Sequence, residues 1–219
     1  MIGIVVGMLS EADLLPTGLA VAVSGGRPAK ARVLADRLLA EGAAGLISFG
    51  IAGGLSPALR PGDLVVGTGV VTADGIVAAD AAWCRRLGQA LPEALAGLIQ
   101  GENDIAATPG HKAALFAASG ALAVDLESAA VALACRRAGK PFAAIRAIAD
   151  PAGRSLPSLA LDALDEDGRA LPMKVAAGLL RRPWELPGLI GVAGDRRAAF
   201  SALRAAVGRL GPAFGFQPA

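Results

Sequence analysis

Two linked runs decide the fold: Ala123-Val124-Asp125-Leu126-Glu127-Ser128-Ala129-Ala130-Val131-Ala132, then Pro141-Phe142-Ala143-Ala144-Ile145-Arg146-Ala147-Ile148-Ala149-Asp150. A short apolar stretch, 121–124, leads into Asp125, where an N-cap carboxylate satisfies free helix N–H groups and Glu127 falls in the first turn. The helix is expected to end where Arg136 and Arg137 meet Gly139 and Pro141. Glycine supplies the left-handed terminal position, proline cannot continue the helix, and the arginines suit the negative end of its dipole. Residues 142–148 are nearly all apolar, the pattern of a strand covered on both faces. Helix and doubly covered strand together predict an α/β fold. In such folds ligands bind at the C-terminal ends of strands, where Asp150 lies. Capping alone accounts for Asp125; Glu127 and Asp150 need another reason. At its reference pKa only about one Asp in a thousand is protonated at pH 7, so proton donation by Asp150 requires burial or a hydrogen bond to the neutral form.

Outward from this core, residues 2–6 read as the first strand, and the next loop delivers Glu11. A second strand, 19–23, runs into Ser24-Gly25-Gly26-Arg27-Pro28, with Pro28 placed to open a helix to residue 41. A glycine turn ahead of a helix N-terminus can hold an anion, and the Arg27 guanidinium suits phosphate. The spacing fits neither the Walker A loop nor the dinucleotide fingerprint. Residues 46–49 form the third strand, whose glycine turn (Gly50, Gly53, Gly54) lets a ligand approach the backbone. Arg60-Pro61-Gly62-Asp63 turns into a fourth strand, 64–71, and residues 80–91 read as helix. No element is assigned to 95–108. His111, the one histidine, follows Thr108-Pro109-Gly110 and reads as an exposed helix-start residue. A Ser-His-Asp site or a metal site would rest on it alone.

At 219 residues and 54% hydrophobic, the chain can build one substantial core, and a single domain spanning 1–219 is expected. Few aromatics and no Tyr point to an Ala-, Leu- and Val-rich core and to a homo-oligomer interface. No apolar run is long enough to span a membrane and no basic segment precedes the first strand, so a cytoplasmic protein is expected. Cys84 and Cys135 form neither a disulfide framework nor a metal motif. The net charge of +2 hides an asymmetry. From Arg169 onward eight basic residues face two acidic ones, so the first 168 residues are net acidic. Within this basic C-terminal arm and helix, 169–219, Trp184 and flanking leucines beside Arg181 and Arg182 suit contact with anionic lipid at the inner membrane surface, or a subunit interface. Nucleic acid is excluded as a partner because no base-stacking aromatics interleave the charges.

The run 125–130 with 146–150, the N-terminal Ile2-Gly3-Ile4-Val5-Val6-Gly7-Met8 with Glu11, and Gly50-Ile51-Ala52-Gly53-Gly54-Leu55 followed by Pro61-Gly62-Asp63-Leu64-Val65-Val66 together resemble the nucleoside phosphorylase and methylthioadenosine/adenosylhomocysteine nucleosidase superfamily. The resemblance covers residues 1–152. It implies a three-layer sandwich around a mixed, partly barrel-like sheet. Within the superfamily, residues 24–29 and 48–55 and the basic arm look most like the hopanoid-associated phosphorylases. That likeness implies release of adenine from adenosylhopane by phosphorolysis, with a soluble methylthioadenosine/adenosylhomocysteine nucleosidase and a non-catalytic nucleoside-binding protein as alternatives.

By the same resemblance, Glu127 and Asp125 bind substrate at the ribose, Leu126 packs beneath the sugar in place of a methionine, and Asp150 donates to adenine N7. Gly50 and Ile51 contact substrate, although Ile51 stands where the superfamily has a hydroxyl. Glu11 positions an attacking water, whereas Gly25, Gly26 and Arg27 would bind phosphate as co-substrate. Arg146 either orders Asp150 or pairs with another carboxylate. No metal and no organic cofactor is implied. Glu11 and phosphate compete: a carboxylate about 4 Å from a phosphate charge costs roughly 4 kcal/mol at an effective dielectric of 20.

Overall fold

The computed structural model describes residues 1–162 and 171–217. In chain order the elements are β1 (Gly3–Val6), α1 (Leu9–Ala12), β2 (Ala20–Val23), α2 (Pro28–Ala40), β3 (Leu46–Gly54), β4 (Leu64–Thr72), β5 (Gly75–Ala78), α3 (Ala81–Ala90), β6 (Leu95–Gly101), α4 (Pro109–Ser119), β7 (Ala123–Asp125), α5 (Ser128–Ala138), β8 (Phe142–Asp150), α6 (Ser158–Asp162), α7 (Pro172–Arg181) and α8 (Leu186–Leu210), with a 3-10 turn at Pro183–Glu185. β8 is the axis. All nine of its residues are buried, and it pairs parallel with β3 and antiparallel with β4. β3 pairs with β7, β7 with β6 and β6 with β4, so β3, β7, β6, β4 and β8 close into a five-stranded barrel. β1 and β2 extend the sheet from β3, and β5 extends it from β4. Strand directions are mixed, and helices cover both faces.

One face is covered by α2 and α5, whose Ala31, Ala35, Leu38, Val131, Ala134 and Cys135 are buried with Val5, Leu46 and Ala144. Alanines at that contact let the helix backbones lie close to the sheet. The other face takes α3, α8 and the chain that follows α8. There Trp83, Leu87, Ala199, Leu203, Ala206 and Phe214 pack on Ile4, Phe49 and Ile145. Trp83 Nε1 donates to the Phe214 carbonyl at 2.6 Å, and Phe49 and Phe214 meet edge to face with centroids 5.5 Å apart. The last described residues therefore close this layer.

Local signals explain most boundaries. Asp80 caps α3 by accepting from Trp83 N at 2.7 Å, Thr108 caps α4, and Gly139 ends α5 with φ +62°. Three expectations are corrected. β3 does not stop at Phe49 but continues through Gly54, because the glycines keep pairing with β8 and β7. β6 occupies the first half of the segment left unassigned; only its place between β4 and β7 makes Leu95–Gly101 a strand. Asp125 ends β7, and regular helix begins at Ser128, so Glu127 lies just ahead of the first turn. Asp125 still caps that helix, accepting from Glu127 N at 3.1 Å and Ser128 N at 2.8 Å.

The basic arm resolves into α7, the 3-10 turn and α8; Arg169 lies outside the described residues. Part of its charge is spent within the fold, with Arg209 paired to Glu93 and Arg182 to Glu185. Met173, Leu180, Trp184 and Ile190 are each more than 60% exposed. Among the described residues no helix is long and apolar enough to cross a membrane.

Candidate active site

Parallel strands β1, β3 and β8 run the same way, which sets Glu11 (in α1, after β1) against the Gly50–Ile51 step of β3 and Asp150 further along, opposite Gly53. β7 runs against β3, so the chain leaving it returns Glu127 to the same place. Glu11 is buried, yet its carboxylate is held by backbone. Oε2 accepts from Gly7 N and Met8 N, each at 2.8 Å, and Oε1 from Ile51 N at 2.8 Å. Burial pushes the Glu11 carboxyl up, against Arg146 and these three amides.

Glu127 Oε1 accepts from Ser24 Oγ at 3.2 Å, and Oε2 lies 3.5 Å from Arg146 Nη2. Burial pushes its carboxyl up to about 7; Arg146 opposes this, while the Asp125 and Glu11 charges reinforce it. Glycine is needed where these acids meet. A Cβ on Gly7 would lie 2.9 Å from Glu127 Oε1 and 3.4 Å from Glu11 Oε2, and one on Gly50 would collide with Glu11 Oε1 and lie 2.8 Å from Arg146 Nη1.

Arg146 is fully buried on β8 and serves the neighbouring acids rather than Asp150. Its Nε pairs with Asp125 Oδ2, and its Nη2 donates to Ser48 Oγ at 2.5 Å and Ser128 Oγ at 3.2 Å. Nη1 has no hydrogen-bond partner. Both oxygens of Asp125 are engaged, Oδ1 by two amides and Oδ2 by Arg146 and Ser128 Oγ. Asp125, expected among the substrate contacts, therefore holds Arg146 and the start of α5. Leu126 is half-buried beside it.

Asp150 sits at the end of β8, where Ala52 pairs with Ile148 but Gly53 pairs with Asp150, so β8 carries one extra residue. Such a bulge re-aims the side chain beyond it. Its Oδ2 accepts from Lys112 Nζ at 2.7 Å, and its buried Oδ1 has no partner. Burial raises the Asp150 carboxyl, with Lys112 and Arg154 opposing and Asp195 assisting. An open cleft of about 420 Å³ lined by Pro151, Gly153, Arg154 and Ser155 adjoins it, past Asp150 rather than over Glu11 and Glu127.

At the expected phosphate turn, Gly25 and Gly26 adopt φ +71° and +69°, but Gly26 N donates to the Gly7 carbonyl at 3.0 Å and Ser24 Oγ at 3.2 Å. Arg27 stands exposed at the head of α2. Sequence reasoning missed Lys112, Ser24, Ser48, Ser128 and Arg196. Ser48 had a signal, as a lone hydroxyl in an apolar strand; Lys112, in an ordinary helix, had none. Arg196 of α8 reaches Met8 Sδ at 3.3 Å and Ser10 Oγ at 3.2 Å. Among the described residues no group of three or more His, Cys, Asp or Glu is placed to hold a metal ion.

The family model of the phosphorylase superfamily matches residues 14–182. The chain belongs to that superfamily. It is thus a superfamily of enzymes, nucleoside phosphorylases and nucleosidases, to which the chain is assigned. No curated protein sequence matches the chain. Among solved structures, it resembles S-adenosylhomocysteine nucleosidase from Streptococcus pyogenes in complex with 5-methylthiotubericidin (20% identity, 96% of this chain and 97% of that one, TM-score 0.68). It also resembles a 5′-methylthioadenosine/S-adenosylhomocysteine nucleosidase from Colwellia psychrerythraea in complex with adenine (20%, 79% and 93%, 0.65). A third is futalosine hydrolase from Helicobacter pylori (21%, 68% and 87%, 0.62). At these identities the likeness is one of fold, and the superfamily's three-layer architecture with its barrel-like mixed sheet is the one described above.

Proposed function

We propose that this enzyme cleaves the N-glycosidic bond of an adenine nucleoside, with water as the nucleophile. The observation that carries the reading is a pair of buried polar atoms on β8 without hydrogen-bond partners: Arg146 Nη1, which with Glu11 Oε1 flanks the space a Cβ on Gly50 would fill, and Asp150 Oδ1. An unsatisfied buried polar group costs roughly 1–3 kcal/mol, so both atoms favour a ligand that supplies the missing contacts. Water between Arg146 Nη1 and Glu11 attacks C1′ and gives its proton to Glu11. The C1′–N9 bond breaks, its electron pair goes to the base, and Asp150 delivers a proton to N7. Glu127 binds the ribose hydroxyls. The products are free adenine and the ribose, and solvent returns the proton from Glu11 to Asp150. Such proton transfers contribute about 10²- to 10⁴-fold each.

Water is preferred over the phosphate expected at Gly25, Gly26 and Arg27 because the Gly26 amide is already used and Glu11 fills the neighbouring amide cradle. The relatives of like fold named as hydrolases and nucleosidases, one holding adenine, support the same choice. For the 5′ substituent, the exposed Leu180, Trp184 and Ile190 favour an apolar tail such as that of adenosylhopane over a small thioether, and favour contact of the arm with a membrane.

Adenine release from adenosylhopane and from methylthioadenosine, each with and without phosphate and with the sugar product weighed by mass spectrometry, tests this. Phosphate-independent release yielding free sugar is expected. A sugar phosphate would overturn the choice of water, and preference for methylthioadenosine would overturn the apolar tail.

A further inference from the structure

Lys112 lies in the first part of α4, and its side chain is fully buried. A buried lysine needs a reason, because its ammonium must find acceptors away from water. Nζ has four within reach: Asp150 Oδ2 at 2.7 Å, and the carbonyls of Asp150 at 3.4 Å, Pro151 at 3.0 Å and Arg154 at 3.1 Å. Three N–H donors thus meet a carboxylate and three carbonyls, all from one turn. That turn lines the cleft past β8. Two consequences follow from the geometry. Asp150 has one oxygen pinned by Lys112 and the other, Oδ1, buried without a hydrogen-bond partner. The carboxyl also meets a cation on its far side, which opposes the rise that burial produces; burial in turn lowers the Lys112 ammonium, which Asp150 opposes.

We propose that Lys112 is a positioning residue for Asp150, fixing which oxygen faces the base and setting the pH range over which that oxygen carries a proton. This rests on the reading of Asp150 as proton donor. Other charged groups facing Asp150 are Arg154 of the same turn, whose carbonyl also accepts from Lys112, and Asp195 of α8; the two side chains lie 2.5 Å apart as an ion pair.

The test uses the full-length chain. Lys112→Met removes charge and donors; Lys112→Gln removes the charge but keeps donors for the carbonyls. With an adenine-release assay, kcat should fall roughly 10- to 100-fold in Lys112→Met, as for other partners that orient a functional group. In both variants the basic limb of the pH profile should move up by about one pH unit or more, because a nearby cation no longer favours the ionised carboxyl. Combined with Asp150→Asn, Lys112→Met should add little further loss. A uniform loss with an unmoved limb, or full additivity with Asp150→Asn, would overturn the proposal.

Should Lys112→Met fail to fold, Lys112→Gln and a carbon-13 NMR titration of the Asp150 carboxyl decide, since the carboxyl should titrate higher in Lys112→Gln than in the parent. An unchanged titration would overturn the proposal. The titration needs no turnover, so absence of adenine release by the parent would defeat the proposed function while the Lys112–Asp150 coupling is still judged.

Discussion

The carboxylate of Glu11 accepts the amide of Ile51 at 2.8 Å, across forty residues of sequence, and so ties the loop after β1 to the end of β3. One side chain thus braces the loop at Gly7 and Met8 against a strand. Glu11→Gln keeps the shape but places an NH₂ group among three amide donors. Adenine release should fall at least about 100-fold. The thermal midpoint should also drop, by the equivalent of about 1 kcal/mol or more. Unchanged turnover in a folded variant would remove Glu11 from the mechanism.

Glu127 gives stability a defined pH dependence. Its folded carboxyl titrates near 7, above the unfolded value of 4.5, so the neutral form is favoured in the fold. That contribution is fully present below pH 4.5 and is lost as pH rises through 7, a change of roughly 3 kcal/mol. Glu127→Gln should flatten this part of the stability profile measured by urea denaturation. An identical slope in parent and variant would contradict the assignment.

Arg146 neutralises a cluster of buried acids. Arg146→Met leaves Asp125 and Glu127 without their cation, and breaking a buried pair costs about 3–5 kcal/mol. The loss should shrink as pH falls through about 7, where the Glu127 carboxyl, raised by burial, becomes neutral. A loss that does not change with pH would mean that packing, not charge, is what Arg146 supplies.

The two tryptophans report different surfaces. Trp83 is fully buried and Trp184 is 72% exposed. If the arm meets lipid, vesicles rich in phosphatidylglycerol should shift the Trp184 emission to the blue, and Trp184→Ala should abolish the shift. Emission that ignores vesicles in the parent would argue for a protein partner at this surface.

Much of the fold was legible because its signals are local. The apolar run of β8, the capping carboxylate of Asp125 and the glycine end of α5 act within a few residues of themselves. β6 was illegible, since Leu95-Ala96-Gly97-Leu98 becomes a strand only when β4 and β7 present edges on both sides.

What the sequence by itself determined is the α/β order, the strand that every layer packs around, and where along the chain the acids Glu11, Glu127 and Asp150 stand. Only the tertiary structure decided how those acids are paired. Arg146 lies four residues before Asp150 and yet pairs with Asp125, while Lys112, thirty-eight residues away, pins Asp150. The reason is physical: a buried ion takes whichever opposite charge the packing brings within about 4 Å. In a closed barrel that choice is made by strand register and bulge, which short-range sequence signals do not encode.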